Sequence, residues 1–103
     1  MLKQITKEEN YHKFFLNLGN PLKIDIVAEL EKGEKTVTEL SKILKKERST
    51  VSHALLELRK CSFVFVEKNG RKRVYHLNKD TVLPLLKMAD AHVQKYCKYC
   101  ERC

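Results

Sequence analysis

The sequence contains no long apolar run, no signal-peptide pattern in its first residues and no catalytic motif. No hydrophobic stretch approaches the roughly 20 residues that a membrane-spanning helix needs, so no membrane partner is expected. Residues 1–15 lack the apolar centre of a signal peptide, and we therefore expect a cytoplasmic protein. Neither a glycine-rich phosphate loop nor a nucleophile motif is present, which argues against an enzyme.

Acidic residues are few relative to basic ones. The 103 residues include 21 lysines and arginines but only 13 aspartates and glutamates, a formal net charge of +8. Such an excess in a small chain favours a polyanionic partner, most often nucleic acid, although charge alone also fits a generally basic protein. A chain of this length forms one domain over residues 1–103 with a modest core, and it often gains stability by dimerising.

The four cysteines do not have the distribution of a disulfide framework. Cys61 stands alone, whereas Cys97, Cys100 and Cys103 fall within the last seven residues. In a reducing cytosol this distribution favours metal binding or redox sensing over structural bridges. We expect Cys61 in the core, with a role as redox partner as the alternative.

Capping signals divide the first part of the chain into four helices. Capping boxes begin at Thr6 and Thr36, Asn20 is the predicted N-cap before Pro21, and Ser49 is the predicted N-cap of the fourth helix. With apolar residues at helical spacing, these signals place helices at 6–18, 20–32, 36–46 and 49–61. The apolar face predicted for the third helix consists of Val37, Leu40, Ile43 and Leu44.

The pattern then changes to β-forming residues. Phe63–Val66 and Arg73–Leu77 are rich in them, and Asn69-Gly70 between these runs is a hairpin-turn signal because both residues tolerate positive φ. We therefore predict a two-stranded wing with a basic tip over 63–78.

A fifth helix is predicted over 80–100, with Asn78 or Asp80 as its cap. Its apolar stripe recurs every three or four residues, at Val82, Leu86, Ala89, Val93 and Tyr96. The predicted fold class is mainly α with a β-hairpin wing, in the order of four helices, two strands and a fifth helix.

The segment Thr36–Lys60 has the layout of a helix-turn-helix, whose second helix enters the major groove of double-stranded DNA. Hydroxyls at the start of that helix can contact bases or phosphates, and cations of the turn and wing suit phosphates or the minor groove. For any single lysine a solvated surface charge is the alternative; the combined pattern is more specific. Glu57 is a further candidate, and the predicted DNA contacts are Lys45, Lys46, Arg48, Ser49, Thr50, Ser52, His53, Lys68, Arg71, Lys72 and Arg73.

Three runs of the sequence resemble the ArsR/SmtB family of winged-helix repressors: Leu18–Ile26, Ser49–Leu55 and Gly70–Leu77. The resemblance covers roughly residues 10–95. It implies a winged helix-turn-helix that dimerises through its first and last helices and sits on operator DNA. In this family a metal or metalloid often releases the repressor.

Some positions depart from the family pattern. Cysteines that sense arsenic or cadmium at the start of the third helix correspond to Thr36 and Thr38, so that sensing site is absent. Lys23 stands where the family usually has arginine, and Ser62 where it usually has glycine. Serine at this position should strain a tight helix-to-strand turn, which glycine adopts more readily.

Asp90 and His92 resemble the Asp-x-His metal ligands on the last helix of zinc-type members of the family. In those members the partner subunit completes the metal site. Cys103 follows His92 by eleven residues and would return to nearly the same helical face. Residues two apart, however, lie about 200° apart on an ideal helix, so Asp90 and His92 form no chelate alone. A solvated aspartate and an interface histidine are the alternative.

The C-terminal cysteines are the second candidate. Cysteines three apart share a helical face, and thiolates select soft ions such as As(III), Cd or Pb. Adding His92 to Cys97, Cys100 and Cys103 gives four ligands acceptable to Zn. Cys97 and Cys103 are about 9 Å apart along a regular helix. One metal ion could therefore bind all three cysteines only if the end of the helix frays or if both subunits contribute ligands.

The leading functional hypothesis is a dimeric repressor released by a soft metal or metalloid at these cysteines. A repressor switched by thiol oxidation and a ligand-independent DNA-binding protein are the alternatives.

Overall fold

The structure, a computed structural model, describes residues 8–97. The capping box predicted at Thr6 and the last residues of the predicted fifth helix, with Cys100 and Cys103, lie outside this range. No helix in the described range is long and apolar enough to cross a membrane. The elements are α1 (Glu8–Leu18), α2 (Pro21–Lys32), β1 (Lys35–Thr36), α3 (Val37–Leu44), α4 (Arg48–Lys60), β2 (Val64–Asn69), β3 (Lys72–Leu77) and α5 (Val82–Tyr96).

The caps predicted for α2 and α3 are confirmed. The Asn20 side chain accepts the backbone N–H of Lys23 at 3.0 Å, and Pro21 occupies the first helical turn. Thr36 and Glu39 bond reciprocally, with the Thr36 N–H donating to Glu39 Oε1 at 2.8 Å and the Glu39 N–H to Thr36 Oγ1 at 3.2 Å. The hydrogen bond from the Thr36 backbone is the main reason why the pKa of Glu39 is lowered.

The cap predicted at Ser49 is wrong. The N-cap of α4 is Glu47, whose extended backbone leads into the helix without a side-chain hydrogen bond. The Glu47 carbonyl accepts the N–H of Val51 at 3.0 Å, which places Arg48 and Ser49 in the first helical turn. Lys45, in the left-handed conformation, ends α3 and turns the chain four residues before Ser49. The helix α4 therefore begins at Arg48, before Ser49.

The cap of α5 also differs from the prediction, since Thr81 occupies that position without a side-chain bond. The Asn78 side chain instead accepts the N–H groups of Asp80 at 3.1 Å and Thr81 at 3.4 Å, and it donates to the Ser62 carbonyl at 2.9 Å. Asn78 thus fixes the turn that precedes the helix and ties it to the end of α4.

The wing contains a strand that was not predicted. β1 pairs antiparallel with β3, with Lys35 opposite Tyr75 and Thr36 opposite Val74, so the sheet has the order β1-β3-β2. Two residues are too few to show a periodic pattern. The hairpin turn is centred on Gly70 and Arg71 because Asn69 pairs with Lys72. Gly70 alone has positive φ, +67°, as in a type II′ turn, which takes glycine at its first central position.

One core joins the helices to the sheet. Its buried members are Ile26, Val27, Leu30, Leu40, Val51, Ala54, Leu55, Leu58, Phe63, Val64, Tyr75, Leu77 and Val82. Ile43, predicted to face this core, is exposed. The short helix α3 packs along Leu40 and Leu44, four residues apart, and Ile43 lies about 100° round the helix from Leu44.

The end of α4 forms a Schellman motif. The Phe63 N–H donates to the Leu58 carbonyl and the Ser62 N–H to the Arg59 carbonyl, both at 2.9 Å. The motif requires a left-handed residue at Ser62, whose φ is +56°. This position is the one where the sequence has serine instead of the glycine usual in the family, and the strain expected there is present.

Replacing Ser62 by glycine should stabilise the protein. Removing the Cβ relieves the left-handed strain, and the freer unfolded chain offsets part of the gain, leaving about 0.5–1 kcal/mol. Thermal unfolding should show a Tm several degrees higher for Ser62→Gly. Ser62→Ala keeps the Cβ and should give no gain; equal Tm values for the two variants would contradict this explanation.

Candidate nucleic-acid interface

The orientation of α4 is set by four buried residues, Val51, Ala54, Leu55 and Leu58. These apolar side chains recur every three or four positions and hold one side of the helix against the core. The opposite side faces solvent and carries the predicted DNA contacts of the helix. Arg48, Ser49, Thr50, Ser52 and His53 are all exposed.

The turn before α4 is held by a single serine of α3. The Ser41 hydroxyl donates to the Lys46 carbonyl, and the Lys46 N–H returns to the Ser41 carbonyl at 3.1 Å. Lys45, whose φ of +56° lies in the left-handed region, ends α3, and its N–H donates to the same Ser41 carbonyl. The side chains of Lys45 and Lys46 are therefore presented to solvent from an ordered backbone.

The tip of the wing borders a cleft beside the start of α3. The cleft has a volume of about 560 Å³ and is lined by Thr36, Val37, Thr38, Glu39, Arg71, Lys72 and Arg73. Lys72 and Lys35 contribute coulombically to the lowered pKa of Glu39, after the hydrogen bonds from Thr36. Lys68 and Arg73 face each other across the hairpin. Like charges at such a pair are unfavourable unless an anion lies nearby.

Ion pairing leaves this basic surface free. Among the described side chains, the ion pairs join Lys23 to Glu57, Lys32 to Glu29 and His76 to Glu67. None of these involves a cation predicted to contact DNA. The charges of the turn and the wing are therefore available to a polyanion.

Glu57, a further candidate for DNA contact, binds within the protein instead. The Lys23 ammonium donates to Glu57 Oε1 at 3.2 Å and to Asn17 Oδ1 at 2.9 Å. The Lys23 side chain is only 12% exposed and Asn17 is buried, so the ammonium links the end of α1 to α4. The hydrogen bond from Lys23 is the main cause of the lowered pKa of Glu57.

This pair predicts a pH dependence of stability. Because the pKa of Glu57 in the folded state lies below its ordinary value of 4.5, the unfolded chain takes up the proton first as the pH falls. At pH 7 the parent should therefore be more stable than Glu57→Gln in urea unfolding. The difference should shrink below pH 4.5 and vanish once the folded carboxyl is protonated.

The matched background for that measurement is Lys23→Met, which removes the donor and keeps an apolar stem. In this background Glu57→Gln should have little pH-dependent effect. A pH-dependent difference that survives the loss of Lys23 would assign the lowered pKa to other groups.

The predicted sensing residues do not form a metal site within the described range. Asp90 and His92 are exposed on α5, and the His92 ring lies 5.1 Å from the ring of Tyr96. Cys97 caps the end of α5 as a half-buried free thiol. Within residues 8–97 no three metal-binding side chains come together. The ligand set that includes Cys100 and Cys103 remains a prediction.

Two further residues of α4 lie on the same side as the predicted DNA contacts. Leu56 and Lys60 are exposed, and they follow Ser49 by seven and eleven residues, which is two and three helical turns. A helical projection from Ser49 would have found both. Leucine is neither polar nor basic, so residue type alone does not indicate a DNA contact at Leu56.

Residues 20–65 match the family described as bacterial regulatory protein, arsR family. The HTH-type transcriptional regulator MJ1325 of Methanocaldococcus jannaschii, uncharacterized, is 32% identical over 85 residues, which cover 82% of this chain and 96% of that protein. The chain belongs to the ArsR family. Relatives of this kind are transcriptional regulators, which agrees with the prediction that the chain is not an enzyme.

Two other comparisons concern the family and the fold. The HTH-type transcriptional regulator NmtR of Mycobacterium tuberculosis is 36% identical over 75 residues, 73% of this chain. The matched region spans 62% of the length of NmtR. The homodimeric winged helix-turn-helix domain Mb0332 of Mycobacterium bovis superposes with a TM-score of 0.84 at 16% identity, covering 96% of this chain and 92% of that domain. This likeness confirms the predicted winged-helix fold.

Proposed function

We propose that this ArsR-family protein is a transcriptional repressor that binds double-stranded operator DNA as a homodimer. The observation that carries the proposal is the exposed side of α4, where Ser49, Ser52 and His53 lie opposite the buried leucines. The ordered turn and the basic wing border this helix in the winged-helix fold. In such a fold the recognition helix reads bases in the major groove, and flanking cations bind phosphates.

The wing supports contact with the phosphate backbone. Lys68 and Arg73 are paired across the strands although they repel each other, and Arg71 in the turn and Lys72 at the start of β3 lie next to this pair. A phosphate between these side chains would convert the repulsion into attraction. The arrangement of charges on the wing is thus more favourable when DNA is bound than in the free protein.

Dimerisation is supported by apolar side chains that the protomer leaves exposed on α1 and α5. Phe15 and Leu16 are exposed on α1, and Met88, Val93 and Tyr96 on α5. A second copy would cover such surfaces. The Mb0332 domain of the same fold is described as homodimeric. A two-fold dimer predicts operator half-sites about one helical turn apart, centre to centre.

Release of the DNA is assigned to the C-terminal cysteines. Thr36 and Glu39 are fully engaged in their capping box, so the start of α3 is a structural element of the DNA-binding unit. Cys97 lies at the end of α5, next to the exposed apolar surface proposed for dimerisation. Of the three C-terminal cysteines, Cys97 alone lies in the described range, so a soft ion bound there needs Cys100 and Cys103 as well. Asp90 and His92 are additional candidate ligands.

A ligand at this end of α5 would act through the dimer. It changes DNA affinity only if it binds the DNA-competent and DNA-incompetent arrangements of the two protomers with different affinity. The distance between the two recognition helices is the property that such a ligand would alter.

The test is operator binding by the reduced protein in the presence of As(III), Cd, Pb or Zn, and after treatment with an oxidant. One of the soft ions should weaken binding and produce thiolate charge-transfer absorption. Serine at Cys97, Cys100 and Cys103 should abolish the response, whereas Cys61→Ser, the matched control, should retain it.

The remaining outcomes separate the alternatives. Loss of binding on oxidation alone would replace metal sensing by a thiol switch. Operator affinity that is unchanged by every treatment, in parent and triple variant alike, would leave a ligand-independent DNA-binding protein.

A further inference from the structure

Leu56 is the one leucine of α4 that the core does not use. Leu55 and Leu58, its neighbours on the helix, are completely buried, whereas Leu56 is 45% exposed. At 100° per residue it lies opposite the mean direction of the buried side chains. Single exposed leucines are common on protein surfaces, so the position of this one decides what it can do.

That position is in line with the polar residues proposed to read DNA. Leu56 follows Ser49 by two helical turns and His53 by three residues, and all three side chains are exposed. The distance from Ser49 along the axis is about 10.5 Å at 1.5 Å per residue. This span is within the roughly 12 Å width of the major groove. A helix that inserts its residues from Ser49 to Leu56 therefore brings Leu56 to the base edges.

We propose that Leu56 is a specificity-determining residue that packs against the 5-methyl group of a thymine in each operator half-site. The proposal rests on the operator binding proposed above. The thymine methyl is the apolar group that a base pair presents in the major groove, and apolar side chains recognise it there. Ser49, Ser52 and His53 supply hydrogen bonds on the same side of the helix but no apolar surface of comparable size.

The expected effect follows from the burial of one methyl group. Removing a methyl from an apolar contact should weaken binding about fourfold, and about fifteenfold when both half-sites of a symmetric operator are changed. Uracil is the appropriate probe because it differs from thymine only by this methyl group and keeps the base-pairing edge.

The experiment uses the full chain and a duplex selected with it from a random library. Each thymine of the half-site is replaced in turn by uracil, and affinity is measured by fluorescence anisotropy. The parent should lose about fourfold in affinity per half-site at one thymine. Leu56→Ala should bind the thymine and uracil duplexes equally at that position, whereas Leu56→Met, still apolar, should keep a preference for thymine.

Ile43→Ala is the matched control, since Ile43 is an apolar residue of similar exposure on α3. It should retain the full sensitivity to uracil. A parent protein that binds every uracil duplex like the thymine duplex would overturn the assignment of Leu56, and so would a Leu56→Ala variant that keeps the parental sensitivity. Failure to enrich any sequence would instead overturn the proposed function, and the Leu56 assignment with it.

Discussion

Replacing Arg71, Lys72 and Arg73 together by glutamine should lower operator affinity by roughly two to three orders of magnitude per protomer at 0.1 M salt. Each phosphate contact releases counterions and contributes about 0.9 to the slope of log K against log salt concentration. Loss of three contacts per protomer should therefore reduce the slope by about 2.7 per protomer, or about 5.4 for the homodimer. The wing residues are exposed, and the fold should survive the change.

The matched control removes the same charge elsewhere. Lys79, Lys87 and Lys95 are exposed cations near or within α5, away from the helix-turn-helix and the hairpin in the chain. Their replacement by glutamine should change the slope far less. If both triple variants lose the same slope, the protein attracts DNA through its net charge alone, and the wing has no specific role.

Replacing Phe63 by alanine should destabilise the protein by about 3–5 kcal/mol, a large part of the stability of a domain this small. Phe63 is 1% exposed, and its ring centroid lies 5.2 Å from that of Phe14. Its N–H also closes the Schellman motif of α4, and its carbonyl accepts the Asn78 N–H at 2.9 Å. Phe63 thus contacts α1 through its ring and the end of α4 through its backbone, at the base of the wing.

Phe65→Ala is the matched control for that measurement. Phe65 lies on β2, two residues after Phe63, but is 43% exposed, with its ring 5.7 Å from that of His76. Its loss should cost about 1 kcal/mol or less. Chemical unfolding of both variants measures the difference. Similar losses in the two variants would show that Phe63 is not the packing centre between the helices and the wing.

Much of the fold was predictable because its signals are local. Asn20 before Pro21 and the reciprocal bonds of Thr36 and Glu39 depend only on residues within one helical turn, and both caps are confirmed. β1 was missed because the pairing of Thr36 with Val74 is a long-range contact of a two-residue strand. The turn is predicted at Asn69 and Gly70 but is centred on Gly70 and Arg71, because the register of β2 against β3 pairs Asn69 with Lys72.

The site was predictable to a smaller extent. Residue type identified cations in the turn and wing, and the structure leaves them exposed. It could not reveal that Glu57 is held by Lys23 of α2, since that contact joins residues 34 positions apart. Leu56 was overlooked because a leucine on an amphipathic helix is normally assigned to the core. The sensing prediction depends on Cys100 and Cys103, outside the described residues, and on a second protomer.

The central claim is that α4 reads a specific DNA sequence, and one binding measurement tests it most directly. The affinity of the full chain is measured for a duplex selected with it and for a scrambled duplex of the same composition, at physiological salt. Our account predicts that the selected duplex binds at least about a thousandfold more tightly and has two symmetric half-sites. It also predicts that alanine at Ser52 and His53 removes most of this ratio. Equal affinity for the two duplexes would contradict sequence-specific recognition by this helix.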